Sequence, residues 1–130
     1  HTLKLTAISR LLLHQDDIPA AISAMRSVLG IHPEDVDTAL DLAQLLATTT
    51  EISSPDAQDA LDIATRLYAR RRHDARIADV LATAYAANAR FEDAMRLGQR
   101  ALTLAGDDPA LTRTLSQHLE HYARNERVRR

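Results

Sequence analysis

His118 and His121 stand three positions apart near the C-terminus of this 130-residue chain. On a helix that spacing puts both imidazoles on one face, where they could begin a metal site. Zinc sites take three or four protein ligands, and no third ligand stands at a matching position here. Glu120 falls on another face of the same helix. The run Arg70-Arg71-Arg72-His73 could hold a phosphate or an acidic partner. Its place at a helix end gives it a simpler role, because positive charge there complements the macrodipole. Residues 124–130 carry four Arg and one Glu, the make-up of a solvated terminus or of an anion contact. His14, His32 and His73 fall at helix ends. The pairs Asp16-Asp17 and Asp107-Asp108 fall in turns, where carboxylates cap helices. The chain has no Gly-rich phosphate loop, nucleophile elbow or zinc-protease helix signature. It has no Cys, which removes disulfides, thiolate ligands and cysteine nucleophiles. These residues predict no catalytic, cofactor or metal site, and a protein that is not an enzyme.

The elements that carry these residues are legible from composition. Aromatics are 3% of the chain, with Gly at 3 and Pro at 4 residues, while Ala and Leu dominate. Few turn formers and few β-branched runs predict helices joined by short loops. The length fits one domain. A net charge of −2 lacks the basic excess of a nucleic-acid binder, so no nucleic-acid partner is expected. No stretch reaches the apolar length that spans a bilayer, and no signal peptide is visible. The chain begins at His1 and not Met, which reads as a piece of a longer protein.

A repeat emerges from the spacing of apolar residues. Ile8, Leu12, Ile18, Ala21, Ile22, Leu29 and Ile31 return as Leu81, Tyr85, Phe91, Ala94, Met95, Leu102 and Leu104, each 73 positions on. That offset is two periods of about 34 residues with a surplus of about five. An offset of 34 from the first unit reaches Leu42, Ala43 and Leu46, and one of 39 reaches Ala57, Ala60, Leu61, Ala64 and Leu67. The surplus therefore sits near residues 48–54, a β-branched, polar, Pro-containing stretch that reads as a loop.

Each unit predicts two helices: Thr2 to His14 with Ile18 to Ile31, Glu34 to Ala47 with Pro55 to Arg71, and Asp74 to Ala87 with Phe91 to Ala105. A last helix is expected from Pro109 to Arg124, capped by Asp108, and Ser54 is expected to cap the helix that begins at Pro55. Apolar residues recur at three and four, giving each helix one buried stripe. Ala21, Ala60, Ala94 and Ala101 are the small residues at the close approaches, and Tyr85 is expected as a core ring.

The third unit, residues 75–108, carries Leu81, Ala82, Tyr85, Phe91, Ala94 and Ala101 at the spacing of a tetratricopeptide repeat, which it resembles. It departs at Ala78, where Trp is common, at Gly98, where an aromatic is common, and at Gly106, where Pro is common. The unit 2–35 keeps Leu5, Ile8, Ser9, Leu12, Ala21 and Pro33, with Val28 for the second Ala, and the unit 36–74 is degenerate. The resemblance implies an all-α fold: a right-handed superhelical stack of three helix pairs, a capping helix over 109–124 and a tail over 125–130. The segments Leu46-Ala47-Thr48, Ser54-Pro55-Asp56 and Leu119-Glu120-His121-Tyr122-Ala123-Arg124 also resemble C-terminal repeat modules of larger bacterial proteins.

The resemblance further implies a protein or peptide partner, held on the concave face by the first helix of each pair. The residues it assigns there are Arg10, Asp37, Asp41, Gln44, Arg76, Asp79 and Thr83, over a floor of Ala47, Ala86 and Ala87. Charges of both signs on that face would fix the register of a bound segment. Some relatives grip a C-terminal carboxylate with a Lys/Asn clamp; Thr6, Asp41 and Asp79 stand at the matching positions and do not supply it. Two other roles stay open. One is a spacer or self-association unit, docking through the apolar first helix with its Leu3, Leu5, Leu11 and Leu12. The other is an accessory domain of an enzyme such as a glycosyltransferase or sulfatase.

Overall fold

The structure, a computed structural model, describes residues 17–50 and 52–130. The expected helix from Thr2 to His14 lies outside the described residues. Those residues form helices and no strand: α1 (Ile18–Ile31), α2 (Val36–Thr48), α3 (Ser54–Arg70), α4 (Ala75–Ala87), α5 (Phe91–Ala105) and α6 (Pro109–Ala123). They divide between Leu42 and Ala43 into two compact units. No helix among them is long and apolar enough to cross a membrane.

Side-chain caps set most of the helix starts. Asp17 accepts from the Ala20 amide at 3.3 Å, and Asp108 from the Leu111 amide at 3.1 Å. Asp74 accepts from the Arg76 and Ile77 amides at 2.9 and 3.2 Å. Each such cap contributes about 1 kcal/mol. Three starts differ from the sequence reading. Asp74, expected as the first residue of its helix, caps it instead, and α4 begins at Ala75. The helix expected from Glu34 begins at Val36, because Asp35 accepts from both the amide and the hydroxyl of Thr38. The cap of α3 is Ser53 and not Ser54: its Oγ accepts from the Asp56 amide at 3.2 Å, drawing Ser54 into the first turn.

The long-period spacing reappears as burial. Ala21, Met25 and Val28 are buried on α1, Ala60, Ala64 and Leu67 on α3, and Ala94, Gly98 and Ala101 on α5. Residue type drifts from helix to helix, while the buried positions stay three and four apart, as one helical stripe requires.

Within the second unit, α3, α4, α5 and α6 pack in chain order. Ala78, Ala101 and Leu115 form its centre, with Tyr68, Leu102, Leu104 and Leu111 against them. Gly98 sets the approach of α5 to α6, because an added Cβ would come 2.7 Å from Leu119 Cδ2. The turn between α4 and α5 is tight: Ala89 sits at φ 59°, left-handed and disfavoured for a residue with a Cβ. Asn88 Nδ2 anchors that turn by donating to the Ala57 and Ala84 carbonyls, both at 2.8 Å.

Tyr85, expected in the core, is half-buried. The Arg90 guanidinium lies 4.8 Å over its ring, a cation–π pair that leaves one face accessible. Asp93 accepts from Arg90 and Arg96 together. The hydrogen bond from Arg96, ahead of that from Arg90, holds the Asp93 carboxyl below its usual range. The buried tyrosine is Tyr122, 1% exposed.

Candidate partner-binding face

The described site residues expected from sequence lie on α2 and α4, and the structure gives them different surroundings. Arg10 lies outside the described residues. In the first unit Asp37 is exposed in the opening turn of α2, and Asp41, one turn on, is half-buried. In the second unit Gln44 and Arg76 are exposed. Helical geometry explains the pattern: Asp37, Asp41 and Gln44 share one narrow strip of α2 at three and four, between buried Leu40 and Ala47 on one flank and buried Leu45 on the other.

Asp79 and Thr83 are committed to the fold. Asp79 Oδ1 lies 2.8 Å from His118 Nδ1 on α6, and the two side chains are 14% and 16% exposed. Thr83 is 2% exposed, so it offers no surface to a partner. Its hydroxyl donates to the Asp79 carbonyl at 2.9 Å, which uses its only proton. Tyr122 Oη, 3.2 Å away, must then donate to Thr83 Oγ1. Burial, the larger cause, and the charge of Asp79 push the Tyr122 phenol well above its ordinary value, so the ring stays neutral.

The floor residues Ala47 and Ala86 are buried as well, and Ala87 is half-buried. His121, paired with His118 in the sequence reading, turns to a different acid, with Nδ1 at 3.7 Å from Glu126. Sequence reasoning missed the α4–α6 junction. Its signal was available: Asp79 and Thr83 are four apart on α4, and His118 and Tyr122 four apart on α6.

No family model matches this chain, and no curated protein matches it. Among solved structures it is similar to the crystal structure of the Sgt2 TPR domain from Aspergillus fumigatus, with a TM-score of 0.69 at 16% identity. The match covers 95% of this chain and 82% of that one. The chain therefore has a tetratricopeptide-like fold, all-helical and built by stacking helix pairs. That architecture typically mediates protein–protein interaction.

Proposed function

We propose that this domain holds a peptide or protein segment on the exposed side of its inner helices. Asp37 and Asp41 are the contact residues of the first unit, and Gln44 and Arg76 those of the second. Arg10 joins the set by its sequence position. Asp79 acts at one remove, by fixing α4 against α6. The observation that supports this reading most is Arg76. It is an exposed cation at the start of α4, on a helix whose remaining surface is largely buried. The Arg76 amide donates to Asp74 Oδ1 at 2.9 Å, while its side chain stays exposed.

Peptides selected from a displayed random library test the reading. Charge reversal by Arg76→Glu is expected to lower their affinity about tenfold or more, and Asp41→Arg to act likewise, with helicity unchanged by circular dichroism. Selected peptides that bind both variants as tightly as the parent would remove the inner face from the site.

A further inference from the structure

α2 ends at Thr48, and Thr49 and Thr50 follow with no glycine to close the helix. The last carbonyls of a helix have no partner within it, and a run of β-branched residues offers no left-handed cap. The Thr48 hydroxyl turns back onto the Gln44 carbonyl at 2.8 Å. Two further donors come from the far end of the chain. The Arg130 amide donates to the Thr48 carbonyl at 2.6 Å. Arg127 Nη2 donates to the Thr50 carbonyl, 77 positions earlier, at 2.7 Å.

The end of α6 aims the chain at those carbonyls. Asn125 is left-handed, with φ 57°. Its amide donates to the Tyr122 carbonyl at 3.0 Å, and the Glu126 amide to the His121 carbonyl at 2.9 Å. This paired closure ends the helix and turns the chain back. Residues 126–130 then run without helix, with Arg127 and Val128 half-buried. On their way to α2 they pass the C-terminal end of α4. Glu126, Arg127 and Arg129 there line a cleft of about 730 Å³ together with Ala86, Ala87 and Phe91. A segment without helix, whose Glu126, Arg129 and Arg130 are exposed, opens at lower cost than a packed helix.

We propose that residues 126–130 form a strap across the ends of α2 and α4, and that a bound segment displaces it. A segment that starts at Arg76 and follows α4 reaches Ala86 about 15 Å on, where the strap stands. The inference rests on the peptide-binding reading of the inner helices, because Ala86 and Ala87 belong to both. Opening the strap then becomes part of the cost of binding. The apparent affinity falls in proportion to the fraction of molecules whose strap is open.

Library-selected peptides, titrated into the parent protein and into Arg127→Gln, measure that cost. Losing the charged hydrogen bond to Thr50 is expected to tighten binding about tenfold. Asn125→Val disfavours the left-handed reversal and should act in the same direction. Helicity should stay unchanged in both variants. The Arg130 amide should exchange with solvent more slowly than in an unstructured chain, and lose that protection when peptide binds. Equal or weaker binding by Arg127→Gln, or an Arg130 amide that stays protected in the complex, would each overturn the strap. If either occurs while Arg76→Glu still weakens the peptides, the strap falls and the inner-face reading stands. If Arg127→Gln tightens binding while Arg76→Glu changes nothing, the strap stands and the inner-face contact at Arg76 falls.

Discussion

Asp79 Oδ1 meets His118 Nδ1 at 2.8 Å, and one helical turn further along both helices Thr83 Oγ1 meets Tyr122 Oη at 3.2 Å. The two pairs are rungs between α4 and α6, each joining residues 39 positions apart. They explain why two polar positions of the expected binding face serve the fold.

The first rung is the shorter of the two contacts and is largely shielded. Removing either partner leaves the other enclosed, so His118→Ala and Asp79→Ala should each cost about 1–3 kcal/mol. Urea unfolding of both single variants and the double variant checks this. The double variant should cost clearly less than the sum, because the residues share one interaction. Additive losses would show that the contact carries no coupling.

The second rung has a pH signature. The Tyr122 phenol is raised in the folded protein by burial, whereas an unfolded tyrosine titrates near pH 10. The folded state therefore holds its proton where the unfolded state has lost it. This contribution is intact below about pH 10 and declines as pH climbs above that value. Tyr122→Phe should cost about 0.5–1.5 kcal/mol at neutral pH and flatten the alkaline fall in melting temperature. An unchanged alkaline slope would place the titration elsewhere.

Gly98 is fixed by the neighbour it faces. A side chain there runs into Leu119, so Gly98→Leu should destabilise by roughly 1–3 kcal/mol through overpacking. Ala94→Leu, at an equally buried position of α5, should cost a similar amount. Thermal melts at the parental midpoint would contradict the α5–α6 packing.

Ala89 offers the opposite case. Its left-handed backbone is disfavoured by about 1–2 kcal/mol for a residue with a Cβ. Ala89→Gly should recover part of that and raise the melting temperature by a few degrees. A lower melting temperature would show that the Ala89 methyl packs productively in the turn.

Much of the architecture was legible because it depends on local chemistry. Asp108 precedes its helix as a capping acid does, and the alternation of three and four marked the buried stripes on α3 and α5. The choice between Ser53 and Ser54 was not legible, because adjacent serines offer the same hydroxyl and only the turn geometry selects one. Tyr85 and Tyr122 look alike in sequence. Burial separates them, and it depends on Arg90 arriving over one ring and α6 seating the other against Thr83. Likewise Thr83 has the composition of a surface residue, and only its distant partner Tyr122 makes it a core one. The return of residues 126–130 to Thr48 rests on the chain reversal at Asn125, which a run of arginines does not announce.

The proposed docking of partners on the exposed side of α2 and α4 has a direct test. Nitrogen-15 correlation spectra of the domain, titrated with a library-selected peptide, test it most directly. Shifts should concentrate on α2 and α4, at Asp37, Asp41, Gln44 and Arg76, with α3 and α5 little changed. Shifts confined to α3 and α5 would contradict it.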